Sequence, residues 1–114
     1  MSTNCLFCKI IAREIPATIV HQDEQVTAIR DINPAAPTHL LVMPNRHLAS
    51  VAEARSEDAE LLGALLLTGA RLAAEAGLSG GFRLVANTGA EAGQSVHHLH
   101  VHVLGGRAMH WPPG

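Results

Sequence analysis

At 114 residues and 12.0 kDa the chain has room for one core and reads as one domain over residues 1–114. Hydrophobic residues make up 47% of it and aromatic residues only 3%, so the interior must be built from Leu, Val, Ile and Ala, which excludes disorder and suits a compact α/β-type protein. A net charge of −2 with dispersed arginines excludes the basic stripe of a nucleic-acid binder, and no stretch approaches the roughly 18 to 20 apolar residues of a membrane span, so a cytoplasmic protein is expected.

The first predicted element is a short helix in "CLFCKIIARE", where Phe7, Ile10 and Ile11 recur three and four apart, with Pro16 as its stop. It carries the only two cysteines, Cys5 and Cys8, spaced C-x-x-C. In a reducing compartment these read as metal ligands or a redox pair rather than a structural disulfide. "TIVHQD" and "VTAIRD" follow as β-branched strands joined by a polar hairpin turn, "NPAAP" is a rigid loop, and "HLLVMP" is a short buried strand.

From Ser56 to Ala76, Leu62, Leu65, Leu66, Gly69, Leu72, Ala73 and Ala76 recur at helical spacing. Ser56 is the expected cap, Glu57 and Asp58 suit the positive end of the dipole, and Gly77 suits the left-handed residue beyond the end. Gly63 and Gly69 each cost such a helix about 1 kcal/mol relative to Ala, a cost that close packing on another backbone would offset. "GFRLVANTG" is a further strand. Strands on both sides of one long helix point to α+β with a mainly antiparallel sheet.

The last predicted strand is "HHLHVHVLGG", which holds four of the eight histidines. Strand alternation places His98, His100 and His102 on one face, about 7 Å apart, and Leu99, Val101 and Val103 on the core face. His97 then points away from the triad, and His21 and His110 are expected to be solvated. Aligning three polar rings has a desolvation cost without structural return. Two chemistries justify it, a metal site or nucleophilic catalysis, since a neutral imidazole attacks well and leaves well once protonated. No carboxylate shares the segment to complete a 2-His-1-carboxylate site. The preceding loop, Asn87 to Ser95, offers small residues, backbone N–H groups, an amide and a hydroxyl to an anion. It has no Walker-type lysine, so a phosphorus centre of low charge suits it better than a metal-bound triphosphate.

H-x-H-x-H followed by two apolar residues, at His98 to Leu104, matches the histidine triad motif. With "FCKII", "DINPAAPTHLLVMP", "VANTG", "GQSVHHLHVHVLGGR" and "MHWPPG", nearly the whole chain resembles the purine nucleoside phosphoramidase branch of the histidine triad (HIT) superfamily. The resemblance implies an α+β fold with a five-stranded, mainly antiparallel sheet, one long and one short helix, and a homodimer formed through the long helix and a strand, which would account for Gly63 and Gly69. It implies hydrolysis of the P–N bond of AMP or GMP amides, including nucleotidylated lysine, through a nucleotidyl-histidine intermediate. The alternatives are a dinucleoside polyphosphate hydrolase and a nucleotide-binding scaffold protein.

By the same resemblance, His100 is the nucleophile, His102 and Ser95 hold phosphoryl oxygens, and His39 supports proton transfer to the leaving group; if the two cysteines are free thiols, His98 orients His100 by hydrogen bonding. Asn87, Gly93 and Gln94 line the phosphate site, Asp31 binds the ribose hydroxyls, and Phe7, Ile10 and Ile32 form the slot around the base. Trp111, in the tail, reaches toward the partner's active site. The chemistry needs no cofactor, but C-x-x-C also occurs in zinc-containing members of the superfamily. A structural Zn2+ held by Cys5, Cys8, His47 and His98 is therefore expected, in a closed tetrahedral site pinning the first helix to the sheet.

Overall fold

The computed structural model describes residues 4–114, so readings that include residues 1–3 lie partly outside it. A five-stranded sheet runs in the order β1-β2-β3-β5-β4, with β1 at Ile19–Gln22, β2 at Val26–Arg30, β3 at Thr38–Pro44, β4 at Phe82–Val85 and β5 at Val101–Gly105. Every neighbouring pair is antiparallel. The fold is α+β, as expected.

Both faces of the sheet are covered, which explains why β3 reads as an uninterrupted apolar run. Leu40 and Val42 share one face with Val26, Ala28, Val101 and Val103, under Leu65, Leu72 and Ala73 of the long helix α2, Ala59–Glu75. Leu41 and Met43 face the other way with Ile29, under Phe7 and Ile10 of the short helix α1, Leu6–Ile11. The alternation of β5 therefore divides it: its valines enter the α2 core, and His102 lies on the α1 side.

Local chemistry sets the boundaries. The β1–β2 turn is held by Asp23, whose carboxylate accepts the Gln25 and Val26 N–H groups at 2.8 and 2.9 Å. Helix α1 ends at Ile11, before the expected stop at Pro16, because Arg13 takes the left-handed conformation with φ of 63°. Ser56 is not the cap of the long helix. A 3-10 turn, Ser56–Asp58, precedes α2, and the Asp58 carboxylate accepts the Arg55 N–H at 2.9 Å and an ion pair from Arg46. Gly77, with φ of 80°, lies just past the helix end as expected.

His98 and His100 precede β5, which starts only at Val101. The Leu99 N–H leaves the sheet ladder and donates to the Leu48 carbonyl at 2.6 Å, so the first part of the triad is an irregular approach to the strand, with His98 in a bend. His21, expected to be solvated, instead bridges β1 to α2: its ring contacts the Asp23 carboxylate at 2.8 Å and the Arg71 guanidinium at 3.1 Å.

Gly69 is explained within the chain. A Cβ there would stand 3.3 Å from Leu84 Cδ2 and 3.3 Å from Val103 Cγ2, so the missing side chain lets α2 settle on the sheet, whereas Gly63 faces open space. Gly69→Val should therefore destabilise the chain by about 1–3 kcal/mol through overpacking, read as a lower urea midpoint at unchanged m.

Candidate functional site: a row of histidines between two polar clusters

The α1 side of the sheet carries a continuous line of imidazoles. Phe7 stands edge-on to His98 and His100, with ring centroids 5.9 and 5.1 Å away. His100 and His102 centroids are 5.0 Å apart, and those of His102 and His39 are 5.1 Å apart. His39 reaches the row from β3 because Leu41 pairs with His102 and His39 with Leu104 in the β3–β5 register. The sequence-based grouping of His98, His100 and His102 on one face thus holds, and the structure adds His39 to it.

The hydrogen bonds decide where each ring carries its proton. His98 Nε2 lies 2.8 Å from the Pro44 carbonyl, which can only accept, so Nε2 is the protonated nitrogen and Nδ1 presents a lone pair. His100 Nδ1 lies 2.7 Å from the His98 carbonyl, so Nδ1 donates and Nε2 of the neutral ring is free to react. His39 Nδ1 accepts the Ala35 N–H at 3.0 Å, leaving the proton on Nε2, which donates to His102 Nδ1 at 2.8 Å. The remaining proton of neutral His102 is then on Nε2. Burial, then the neighbouring His100 and His39, push the His102 pKa down to about 4 despite the opposing Asp31 charge. Burial above all also lowers that of His98, which is completely buried.

At one end of the row, the Asp31 carboxylate lies 3.4 Å from His39 Nε2 and accepts the Asn33 N–H at 2.7 Å. At the other end, Cys5, Cys8, His47 and His98 turn one ligand atom each toward a common point, all within 4.8 Å of one another. Cys5 Sγ is 3.3 Å and Cys8 Sγ 3.6 Å from His98 Nδ1; His47 Nδ1 is 3.5 Å from Cys8 Sγ and 3.2 Å from His98 Nδ1. Tetrahedral zinc, with bonds of about 2.3 Å to sulfur and 2.0–2.1 Å to nitrogen, implies ligand separations of about 3.3–3.8 Å. The four residues fit such an ion in donor type, spacing and the tautomer of His98. Burial and the adjacent Cys5 push the Cys8 thiol up to about 11 when no metal is bound.

The other expected site residues lie in different surroundings. Gln94 is buried and fully engaged: its amide donates to the Ala49 and Val96 carbonyls at 2.7 and 3.1 Å and accepts the Gly89 N–H at 2.9 Å. It pins the loop rather than presenting a free amide. Gly93 takes a left-handed conformation with φ of 91° that closes the same loop after a 3-10 turn, Ala90–Ala92. Ser95 is exposed, and Asn87 is half-buried. Phe7 and Ile10 are buried core residues, whereas Ile32 is 90% exposed beside Asp31. Trp111 is 83% exposed on a tail tied down by Arg83, which donates to the His110 carbonyl at 2.9 Å. The Pro44 carbonyl and Ala35 N–H, which set two tautomers, are main-chain groups with no signal in the sequence.

Comparison with known proteins gives a consistent result. The HIT domain family model matches residues 12–109. An uncharacterized HIT-like protein of Synechococcus elongatus is 53% identical over 114 residues, the whole of both chains. A 14 kDa zinc-binding protein of Zea mays is 50% identical over 111 residues, covering 96% of this chain and 87% of the relative. Among solved structures, a HIT family hydrolase from Legionella pneumophila superposes with a TM-score of 0.95 at 51% identity, covering 97% of this chain and 100% of that one.

The lowered pKa of His102 makes stability pH-dependent. The unfolded ring takes its proton near the ordinary value of 6.5 and the folded ring only near 4, so its contribution is complete above pH 6.5 and is lost as pH falls toward 4. Half-burial reduces the full linkage value to on the order of 2 kcal/mol. In chelator, urea unfolding at pH 7 and pH 5 should show a smaller stability loss for His102→Asn than for the wild type.

Proposed function

The chain belongs to the HIT domain family, and from that premise we propose that it is a nucleotide-binding hydrolase that cleaves the P–N bond of purine nucleoside phosphoramidates. The observation that carries the reading is the proton placement along the histidine row. His100 is held by a 2.7 Å bond from Nδ1 to a main-chain oxygen, which orients the ring and keeps the Nε2 lone pair available. A purely binding site has no need of that arrangement. The hydrolase names of the Legionella pneumophila and Clostridium thermocellum structures support it.

In this mechanism His100 Nε2 attacks phosphorus, a P–Nε2 bond forms, and the P–N bond of the amide breaks. The departing amine nitrogen takes a proton from solvent, while His39 Nε2–H bonds to His102 Nδ1 and keeps the His102 proton on Nε2. The imidazolium formed at His100 is stabilised by its Nδ1–H bond to the His98 carbonyl. Water then attacks phosphorus, returns one proton to solvent, expels neutral His100 with its Nδ1–H in place and releases AMP or GMP. His102, neutral at pH 7, offers Nε2–H to a phosphoryl oxygen, and Ser95 offers a hydroxyl. Asp31 takes the ribose hydroxyls, and Phe7, Ile10 and Ile32 border the base, with Asn87 and the Gly93–Gln94 turn near the phosphate.

Two further assignments accompany the reaction. Cys5, Cys8, His47 and His98 would hold a structural zinc, which would tie α1 to the sheet and supply no chemistry at phosphorus. The working form is a homodimer, supported by Leu66 and Leu67 on α2, 50% and 74% exposed, and Phe82 on the edge strand β4, 41% exposed. Trp111 then extends toward the partner's site.

Purified wild type should release AMP from adenosine 5′-phosphoramidate faster than it cleaves Ap4A, and His100→Ala should lose at least about a thousandfold in kcat. Faster cleavage of Ap4A would assign the chain to dinucleoside polyphosphates; nucleotide binding with no cleavage of either would leave a scaffold. Metal analysis should find one zinc per chain with two sulfur and two nitrogen ligands by X-ray absorption. Cys8→Ser should lose it, and because binding expels thiol protons, affinity should rise with pH.

A further inference from the structure

The hydrogen-bond path to His102 starts outside the histidine row. His39 Nδ1 accepts the Ala35 N–H at 3.0 Å, and Ala35 sits in the loop between β2 and β3. That loop is held from the far side by the chain leaving β5. Arg107 Nη2 donates to the Ala35 carbonyl at 3.1 Å, and its Nη1 donates to the Ala108 carbonyl at 3.1 Å, which fixes the guanidinium against its own backbone. One residue earlier, Gly106 has φ of 93°, and a Cβ there would lie 2.9 Å from Pro37 Cβ, so the two segments meet with no room between them.

Ala35 is thus gripped through its carbonyl by Arg107 and uses its N–H to hold a proton off His39 Nδ1. We propose that Arg107 is a positioning residue for the phosphoryl site: by clamping Ala35 it fixes the tautomer of His39, and through His39 that of His102. The consequence follows from counting protons. With Nδ1 of His39 occupied by the Ala35 N–H, the His39 proton is on Nε2 and points at His102 Nδ1, 2.8 Å away. Asp31, 3.4 Å from the same Nε2, favours a proton there as well. His102 must then carry its own proton on Nε2, the side on which a phosphoryl oxygen needs a donor.

Releasing the loop removes the donor from His39 Nδ1. The His39 proton can then move to Nδ1, and its Nε2 becomes an acceptor facing His102 Nδ1. Two lone pairs at this distance force His102 to place its proton on Nδ1, which turns its Nε2 lone pair toward the phosphoryl oxygen. An attraction becomes a repulsion, although no residue that touches substrate has changed.

The activity arm of the test rests on the phosphoramidase reading, but the tautomer arm does not. Long-range proton–nitrogen NMR spectra of the labelled full chain, zinc-loaded, distinguish the two neutral tautomers of each imidazole. In the wild type, His39 and His102 should both be Nε2–H. In Arg107→Ala both should become mixtures, with kcat on adenosine 5′-phosphoramidate falling by about tenfold or more and KM changing by less than about threefold. Arg107→Lys, which keeps a donor, should restore most of the single-tautomer signal and of kcat. Should the alanine variant not fold, Arg107→Met, which keeps the length of the side chain but has no N–H donor, gives the same comparison against Arg107→Lys. Retention of Nε2–H at both histidines without Arg107 overturns the proposal, whatever the activity. A wild type with the expected tautomers but no phosphoramidase activity overturns only the reaction.

Discussion

The arrangement depends on His98, a completely buried residue in which each polar side-chain atom and the carbonyl is committed. Nε2–H donates to the Pro44 carbonyl, Nδ1 faces Cys5, Cys8 and His47, and the main-chain oxygen accepts Nδ1–H of His100. A buried imidazole with any of these groups unmatched would cost about 1–3 kcal/mol for each, so the three contacts hold one another in place. The strand β3 supplies the first, the helix α1 the second, and the peptide chain itself delivers the third to His100. A shift of α1 or of the end of β3 therefore reaches His100 through the position of one residue.

This constraint explains why the two faces of the sheet are so different. On the α2 side, burial is apolar and uniform, from Val26 to Val103, and the long helix can lie close because Gly69 has no side chain. On the α1 side the covering helix has only six residues, and Phe7 and Ile10 are its buried members. So short a helix is marginal without tertiary support. It is capped by Cys5 Sγ, which accepts the Cys8 N–H at 3.3 Å, so the residues that stop it fraying are those that face His98. Phe7, between the two cysteines, lays its ring edge-on to both His98 and His100, joining cap, core and histidine row.

Legibility in the sequence followed periodicity and failed where the chain departs from it. The five strands and the long helix are legible because apolar residues alternate or recur at three to four, and the hairpin because a polar stretch separates two β-branched runs. The cap at Asp58 is not, because Ser56 has the commoner capping chemistry and only the 3-10 turn displaces the helix start to Ala59. The alternation of the triad predicts one regular strand, yet the Leu99 N–H is taken by Leu48, and β5 begins three residues after His98. Gln94 looked like a phosphate-site amide because its type and place suit one; its three bonds within the chain belong to main-chain partners that no residue pattern announces. Of the four clustered residues, Cys5 and Cys8 are legible from their C-x-x-C spacing, whereas His47 and His98 follow only from resemblance, since no spacing in a linear sequence brings position 47 beside position 98.

Two groups of metal-binding residue types stand at the ends of the same row, and proton placement separates them. Around Cys5, the fixed tautomer of His98 turns a lone pair inward, and His47 presents the same atom type 3.2 Å away, so two imidazoles and two sulfurs face a common point. Around Asp31, His39 and His102 the ligand atoms are equally close. There, however, the Ala35 N–H occupies His39 Nδ1, so the inward Nε2 carries a proton already shared with His102. A cation at that point would have to displace it and leave an imidazolate in a half-buried pocket. The same residue type thus serves opposite ends, electron-pair donation at one and proton donation at the other, and the choice at each is made by a single main-chain group: the Pro44 carbonyl or the Ala35 amide.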